Sequence, residues 1–363
     1  MEGKMLFHHI IHDLEDWRQV FQDPDAFEPL IREIFRRHGL PFAGIGRCTP
    51  GSNAVFRCGG YIVKIFAPEE SGIGGRDDFL TEKFGLLRAK RLSVPAPVLY
   101  AEGVIEDAHT FRYLLLEYVE GESLAELSPR LSGGERFRIG RRLREIVDRM
   151  DVACEPFNSH ALFGRAAEER WKAFPASFRR ERETYLRQRY GGGRVDGQTE
   201  AAGDSAAFSE MAAEGGAVGR TAVYVHGDLN PDNILIRPDG RLCLIDFADA
   251  MRAPIELELA SLLCDGFRFD ADYLAGFLDG EEAFRQKAFR NAAGEKGNLI
   301  RESRKEEGRR EAKLSESLLF GLLIHDYGVN IIRDNIGAPE RIPSLKTLRE
   351  RLDYALLTGT QTS

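Results

Sequence analysis

One stretch of the chain, residues 226–250, constrains the fold more than any other. It holds a His-Gly-Asp motif ending at Asp228, then Asn233 before a short apolar run, then a second apolar run that ends at Asp246. A Pro-Asp-Gly sequence separates the two runs, and such a turn between apolar segments predicts a β-hairpin. Because hairpin strands are antiparallel, we expect Asn233 and Asp246, at its two outer ends, to converge.

The residue types at this hairpin suit phosphoryl transfer. An amide oxygen and a carboxylate, from Asn233 and Asp246, suit Mg²⁺, which takes few protein ligands and relies on substrate phosphates for others. Asp228 is placed to accept a proton from an attacking hydroxyl. The alternative is a polar surface turn, where Asp and Asn are common. Turn chemistry alone, however, does not require the ordered strand context around these residues.

These residues resemble the aminoglycoside phosphotransferase and choline kinase-like family of small-molecule kinases. The family motif reads His-Gly-Asp-x-x-x-x-Asn-Ile-Leu, followed by Ile-Asp-Phe-x-Asp-Ala. This chain carries both parts, at 226–235 and at 245–250. The resemblance implies that Asp228 is the catalytic base, that Asn233 and Asp246 bind Mg²⁺, and that the phosphoryl donor is ATP or another nucleoside triphosphate.

A lysine within an apolar strand supplies the expected phosphate-binding half of the site. Burying Lys64 without a partner would be costly, but the cost is offset if it reaches a phosphate and a carboxylate. Kinase-type sites pair such a lysine with a glutamate of the next helix, and Glu82 is our candidate. Before this strand, a turn with Ser52 and Asn53 can donate backbone N–H groups to phosphates. The alternatives are a solvent-facing lysine on an edge strand and an exposed helix glutamate.

Periodicity predicts an α+β chain. Strands are predicted at 43–48, 53–58, 61–66, 98–104 and 111–117, and helices at 13–38, 77–92, 122–190, 314–332 and 345–357. Ser132 and Glu135 form a capping-box pattern within the long helical region. The resemblance implies a bilobal protein-kinase-like fold, with a five-stranded antiparallel sheet in the N-terminal lobe and a mainly helical C-terminal lobe.

The lobes are expected to meet at a hinge. Residues 1–117 form the predicted nucleotide-binding lobe, 118–121 the hinge, and 122–363 the catalytic and substrate-binding lobe. The hinge is expected because the apolar strand predicted at 111–117 is followed directly by a connector, 118–121, that contains a glycine. The resemblance implies that adenine bonds to the backbone of Glu117 and Val119, with Leu116 at the back of the pocket.

Bulk composition narrows the partners and the compartment. The net charge of −8 and the pI of about 5.7 argue against a nucleic-acid groove and would suit a cationic substrate. The five cysteines are scattered and odd in number, which fits a reducing compartment. We expect no signal peptide, and the sequence holds no apolar run of roughly 18 residues. We expect a cytoplasmic monomer or homodimer that binds neither nucleic acid nor a membrane.

The sequence says less about the molecule that accepts the phosphoryl group than about the type of reaction. Pro254 follows Asp246 too closely for the peptide-docking segment of a protein kinase, so a small alcohol is favoured. An aminoglycoside-type antibiotic leads because it is the family's best-known substrate. Kinases of choline, homoserine or a sugar are alternatives. A nucleotide-binding pseudokinase is the rival from another class, but the base, metal ligands and lysine are all present.

Three acidic residues near the motif are candidates for contact with a cationic substrate: Asp249, Glu258 and Asp265. Helix caps and solvated surface are the equally weighted alternative. Glu258 stands where the family often has Asp, which puts a role carried over from the family in doubt. Residues 191–220 are predicted to be a mobile low-complexity insertion, and residues 281–313 a charged, exposed segment. We assign no function to these two segments.

Overall fold

The computed structural model describes residues 5–48, 51–160, 162–163, 165–190, 222–278 and 313–359. The chain divides into two compact units. The first comprises residues 1–121, 157–159 and 235–250, and the second comprises 122–156, 160–234 and 251–363. The predicted insertion at 191–220 and the predicted charged segment at 281–313 lie outside the described residues, apart from Lys313.

A five-stranded sheet forms the centre of the first unit, with strand order β1-β2-β3-β5-β4 and every neighbour antiparallel. The strands are β1 Gly46–Arg47, β2 Ala54–Cys58, β3 Tyr61–Ile65, β4 Leu99–Glu106 and β5 Thr110–Glu117. The predicted antiparallel five-stranded sheet is therefore confirmed. The first strand is shorter than the predicted 43–48, because only Gly46 and Arg47 pair with β2.

The N-terminal extension forms two helices, α1 Leu14–Val20 and α2 Pro24–Arg37. The single helix predicted over 13–38 is wrong at its middle. Asp23 has extended backbone angles, and its side chain accepts a hydrogen bond from the N–H of Asp25. Because Asp23 is an N-cap and Pro24 occupies the first turn, a new helix starts there instead of the old one continuing.

Aromatic side chains pack this extension onto one face of the sheet. Phe7 lies 5.1 Å from Phe27 and 4.9 Å from Phe111 between ring centroids, and Phe27 lies 5.4 Å from Phe56. All four side chains are buried. Burying a large apolar side chain contributes roughly 1.5–3 kcal/mol, so the extension is an integral part of the core of this unit.

The opposite face of the sheet packs against α3, Gly75–Leu92. Strand residues alternate between faces, and Val63 and Ile65 belong to the aromatic cluster on the first face. Lys64, which lies between them, must therefore point to the side of α3. A shift of one residue in the pairing would turn it into the aromatic core.

The second unit is mainly helical. Its described elements are β6 Glu122–Ser123, α4 Leu124–Leu127, α5 Gly133–Met150, α6 Arg165–Arg170, α7 Ala176–Tyr190, β7 Val223–Val225, β10 Met251–Ala253, α8 Glu256–Ala260, α9 Ala271–Phe277, α10 at 313–324, α11 Gly328–Asn335 and α12 Leu345–Thr358. The helix predicted over 122–190 is interrupted, since residues 151–160 are not helical. The capping box of Ser132 and Glu135 is confirmed at the start of α5.

Close contact between α5 and α9 anchors this unit. A Cβ atom on Gly276 would lie 1.9 Å from the carbonyl oxygen of Phe137, so only glycine allows the two backbones to approach this closely. The predicted hairpin runs from β8, Ile234–Ile236, to β9, Leu242–Leu244, and the chain passes from the second unit to the first after Ile234. Among the described residues, no helix is long and apolar enough to span a membrane.

Candidate active site

A buried lysine between two carboxylates is the centre of the site in the first unit. The Nζ atom of Lys64 donates hydrogen bonds to Glu82 Oε2 and to Asp246 Oδ1, the latter over 2.8 Å. Lys64 is 5% exposed and Glu82 is 2% exposed, whereas the Asp246 side chain is 42% exposed. The cation is thus held by one enclosed carboxylate and one that faces outward.

The sequence positions Glu82 through helical periodicity. Phe79, Glu82, Leu86 and Ala89 are all buried on α3. Their spacing of three to four residues places them on a single helix face, and this face packs against the sheet. Glu82 is the carboxylate in an otherwise apolar row, so it meets Lys64 on the strand beneath.

Electrostatics keep this lysine charged. Burial disfavours the ammonium form, but the charges of Asp246 and Glu82 more than offset burial, and the pKa of Lys64 is raised. Burial raises the pKa of Glu82 to about 7, although the Lys64 charge opposes that rise. The lysine therefore keeps a positive charge to offer to phosphate.

Asp246 follows the buried strand β9 and has a φ of 62°, in the left-handed region. Asp tolerates this conformation better than most residues, but it remains uncommon outside glycine. A strained backbone of this kind is often found at functional sites. Here it turns the carboxylate towards Lys64 at the end of the strand.

The turn before β2 is tied down from two sides. Asn53 is buried, and its Oδ1 accepts a hydrogen bond from the N–H of Ala67 over 3.1 Å. The indole Nε1 of Trp17, on α1, donates to the carbonyl of Ser52 over 2.9 Å. Because the Asn53 side chain is engaged in this way, a contact of Asn53 with a phosphate would come from its backbone N–H group.

The predicted adenine-binding residues lie at the end of β5. Leu116 and Val119 are buried. The Glu117 N–H donates to the carbonyl of Val98, and its side chain accepts hydrogen bonds from Arg237 and from the N–H of Val98. The backbone of this segment is therefore ordered by neighbouring strands, while its contact with adenine stays a prediction.

The candidate catalytic loop belongs to the second unit. Strand β7 pairs with β10, with Val225 opposite Met251, and Gly227 then turns the chain with a φ of 83°. The half-buried Asp228 follows. The Nδ2 atom of Asn233 donates to the Asp228 carbonyl over 2.9 Å and to its Oδ2 over 3.0 Å. The structure thus brings Asp228 and Asn233 into direct contact.

Asn230 is a second support of Asp228 that sequence reasoning missed. Its Nδ2 donates to Asp228 Oδ1 over 2.9 Å, and its Oδ1 accepts the N–H groups of Asp232 and Asn233. Asn followed by Pro231 at the start of a short helical turn is a recognisable cap signal. That signal could have identified Asn230 as a structural residue of this loop.

Glu258 lies beneath the loop. It is fully buried, and its Oε2 accepts the N–H of Gly227 over 3.2 Å. Burial raises the pKa of Glu258 to about 8, against the lowering effect of the N–H groups it accepts from Gly227 and His226. Burial leaves this carboxylate no surface for a substrate, which argues against the predicted substrate contact. We propose instead that Glu258 supports the loop before Asp228.

The other two acidic candidates are half-buried. Asp249 lies in the turn after Asp246, in the first unit. Asp265 lies in the second unit and accepts a hydrogen bond from Asn335 Nδ2 over 3.0 Å. Burial raises the pKa of Asp265, and the charges of Asp334 and Asp232 add to that rise. Substrate contact by Asp249 and Asp265 stays a prediction.

The proposed Mg²⁺ ligands offer the expected donor atoms. The Nδ2 atom of Asn233 is engaged by Asp228, so the amide oxygen is the atom suited to a cation. Asp246 remains 42% exposed while its Oδ1 binds Lys64. No three His, Cys, Asp or Glu side chains within the described ranges form a metal cluster by themselves. A small ligand set of this kind fits Mg²⁺, which shares its shell with phosphates and water.

The predicted site residues therefore fall into two groups. Lys64, Glu82 and Asp246 are in contact within the first unit, and Asp228 and Asn233 are in contact within the second. Convergence of Asn233 with Asp246 stays a prediction.

Comparison with known proteins identifies the family. A model of the phosphotransferase enzyme family matches residues 51–292. No protein with a curated description matches the chain significantly. The GDP complex of wild-type aminoglycoside 2'-phosphotransferase-IIIa is 17% identical, covering 92% of this chain and 99% of that one, with a TM-score of 0.50. Choline kinase LicA from Streptococcus pneumoniae is 15% identical, covering 88% and 98%, with a TM-score of 0.45.

At 17% identity, the first of these structures supports the fold alone. The family match spans well over half of the chain and includes both Lys64 and the segment 226–250. This chain belongs to the phosphotransferase enzyme family, and it is a small-molecule phosphotransferase with a bilobal, protein-kinase-like fold.

Proposed function

We propose that this enzyme transfers the γ-phosphoryl group of ATP, or of another nucleoside triphosphate, to a hydroxyl group of an aminoglycoside-type antibiotic. The observation that carries the nucleotide part is the buried Lys64 between Glu82 and Asp246. The pKa of this buried lysine is raised, so it stays charged, and kinase-type sites use such a lysine to hold phosphates. The GDP bound to aminoglycoside 2'-phosphotransferase-IIIa supports a nucleotide donor by analogy of fold.

In the proposed reaction, Asp228 accepts the proton of the acceptor hydroxyl. The hydroxyl oxygen then forms a bond to the γ-phosphorus while the bond from that phosphorus to the β–γ bridging oxygen breaks. The products are a phosphate monoester and a nucleoside diphosphate. Asn230 and Asn233 each donate to one Asp228 carboxylate oxygen, and they orient the base. Lys64 binds the phosphates of the donor.

Mg²⁺, bound by Asn233 and Asp246, would neutralise the phosphate charge when the nucleotide is present. The reaction described above depends on the protein side chains for proton transfer and for orientation.

The acceptor proposal depends on charge. The net charge is −8, and Asp249 and Asp265 are half-buried carboxylates in the matched region. Carboxylates favour amine-bearing substrates, because opposite charges raise the local substrate concentration and its rate of association. Aminoglycosides carry several ammonium groups and many hydroxyls. They therefore lead over neutral sugars, while choline also satisfies the charge argument.

The experiment is a screen of nucleoside diphosphate release, with ATP and GTP as donors. Acceptors are aminoglycosides, macrolides, choline, homoserine and simple sugars. We expect turnover with at least one aminoglycoside and abolition of that turnover by omission of Mg²⁺. Turnover with choline or a sugar alone would replace the antibiotic proposal by a metabolite kinase. Nucleotide binding without turnover on any acceptor would favour the pseudokinase alternative.

A further inference from the structure

We propose that Asn158 is a positioning residue that holds Glu82 and Asp246 at the correct spacing around Lys64. All four residues belong to the first unit, although Asn158 comes from a three-residue segment, 157–159, whose neighbours in sequence belong to the second. The proposal concerns how the lysine site is assembled, and its functional reading rests on the proposed use of that site for nucleotide binding.

Asn158 bridges the two segments that carry the carboxylates. Its Nδ2 donates to Thr81 Oγ1 over 3.0 Å and to the Ala250 carbonyl over 2.7 Å. Thr81 immediately precedes Glu82 on α3. Ala250 closes the turn that begins after Asp246, and its N–H donates to the carbonyl of Phe247. Thr81 and Ala250 are fully buried.

These contacts close a ring. Lys64 joins Glu82 to Asp246 on one side of the ring. Asn158 joins the neighbouring residues Thr81 and Ala250 on the other side. The spacing of the two carboxylates is therefore fixed by a second, uncharged connection. Lys64 can engage a phosphate without having to hold α3 and the 246–250 segment together by itself.

The residues on either side of Asn158 also bind α3. The ring of Phe157 stacks on Phe84 with centroids 4.2 Å apart and planes 5° from parallel. The Ser159 hydroxyl donates to Asp77 over 2.6 Å. Three consecutive residues thus contact three successive turns of the helix that carries Glu82. These contacts add to the packing of the helix on the sheet and restrain both its rotation and its position along its axis.

Asparagine suits this position for a simple chemical reason. Its amide nitrogen carries two hydrogens, so one atom serves two acceptors. Aspartate would place an anionic oxygen against the Ala250 carbonyl, which is also an acceptor. Alanine would leave the buried carbonyl and the hydroxyl without this donor, at a cost of about 1–3 kcal/mol for each unsatisfied buried group. Both substitutions therefore remove the bridge: aspartate repels the Ala250 carbonyl, and alanine lacks the donor.

The first test measures Mg²⁺–ATP binding by calorimetry, which requires no acceptor. We expect Asn158→Ala to weaken ATP binding by about tenfold and Asn158→Asp by more. The control is Ser177→Ala, which removes a hydrogen bond of similar length to the Pro343 carbonyl in the second unit. It should leave the dissociation constant unchanged. An unchanged dissociation constant in both Asn158 variants would overturn the functional role.

A double-mutant cycle separates positioning from general destabilisation. If Asn158 acts through α3, Asn158→Ala should weaken ATP binding less in a Glu82→Gln background than in the unaltered protein, because one of the two carboxylates that it positions is already gone. A merely structural effect would be additive, and an additive result would contradict the proposal.

Hydrogen exchange without nucleotide tests the positioning claim independently of the proposed function. In Asn158→Ala we expect faster exchange both in α3 and in residues 245–250, while Ser177→Ala leaves both unchanged. Unchanged exchange in either segment would refute the bridge, even if the enzyme binds ATP. If exchange in both segments is faster in Asn158→Ala but the unaltered protein binds no nucleotide, the bridge is supported and the proposed function is contradicted.

Discussion

Lys64 shows how one side chain can link distant parts of a chain. Its partner Asp246 lies 182 residues away in sequence and Glu82 lies 18 away, yet both carboxylates bind the same ammonium group. A buried charge without partners is strongly disfavoured. The fold therefore has a strong energetic reason to keep strand β3, helix α3 and the end of β9 together at this point.

Removal of the lysine charge should be costly. In Lys64→Met, Glu82 stays buried beside Asp246 without the cation, and breaking a buried pair typically costs about 3–5 kcal/mol. We expect a loss of that order in the free energy of unfolding, measured with urea, together with loss of ATP binding. Because burial already raises the pKa of Glu82 to about 7, the loss should be smaller below that pH, where Glu82 takes up a proton.

The neighbouring Lys83 provides the matched control. It pairs with Glu102 over 2.6 Å on the surface, with both side chains at least one-third exposed. Surface pairs contribute about 0–1 kcal/mol, so Lys83→Met should change the stability little. Equal losses in the two variants would contradict the assignment of Lys64 as a buried, paired cation.

Glu258 should make stability depend on pH. Burial raises its pKa from the ordinary 4.5 to about 8. Between these values the unfolded chain releases this proton while the folded chain retains it. The contribution to stability is therefore complete below pH 4.5 and falls as the pH rises towards 8. In Glu258→Gln the amide oxygen can still accept a hydrogen bond from the Gly227 N–H, but the side chain at this position no longer takes up or releases a proton.

We expect urea unfolding of Glu258→Gln to show a weaker decline in stability across this pH range than the unaltered protein shows. Glu340→Gln, at an exposed position, serves as the control and should preserve the original decline. A Glu258→Gln profile that superimposes on that of the unaltered protein would contradict the burial of a protonated Glu258.

At the scale of elements, the N-terminal helices connect directly to the candidate phosphate-binding turn. Trp17 is fully buried on α1 and donates to the carbonyl of Ser52. The extension thus covers the sheet and also fixes one end of the turn. One buried side chain therefore both packs against the sheet and holds the candidate phosphate-binding turn.

Replacement of this indole should therefore affect nucleotide use. Trp17→Phe retains an aromatic ring but removes the donor to Ser52, a bond worth about 0.5–1.5 kcal/mol. We expect the KM for ATP to rise several-fold while kcat changes little. Trp171→Phe alters a buried indole of the second unit and should leave the KM for ATP unchanged. The idea fails if both variants change the KM equally.

The sequence predicted those elements whose signals are local. The position of Glu82 follows from the apolar spacing of α3, and the hairpin follows from its Pro-Asp-Gly turn. The interruption between α1 and α2 was missed because the apolar period continues across it, although Asp23 and Pro24 carry a start signal. Asn158 was beyond prediction, since its partners Thr81 and Ala250 are 77 and 92 residues away.

At the scale of the whole molecule, the predicted site residues occur in both compact units. The first holds Lys64, Glu82 and Asp246, and the second holds Asp228 and Asn233. The family match and the protein-kinase-like fold cover both. The sequence could therefore predict the reaction class from short motifs. It could not predict the acceptor, because specificity depends on surfaces assembled from distant segments that carry no comparable motif.

The most direct measurement of the central claim is the effect of Asp228→Asn on the accepted substrate, with phosphorus NMR to identify the product. We predict a new phosphate monoester with the unaltered enzyme. We also predict a loss of about 10²–10⁴-fold in kcat for the variant, as expected for removal of a general base, with unchanged affinity for ATP. Asp239→Asn, the same change in the exposed hairpin turn, should keep full activity. Full turnover by Asp228→Asn, or the absence of a phosphate monoester, would contradict this account.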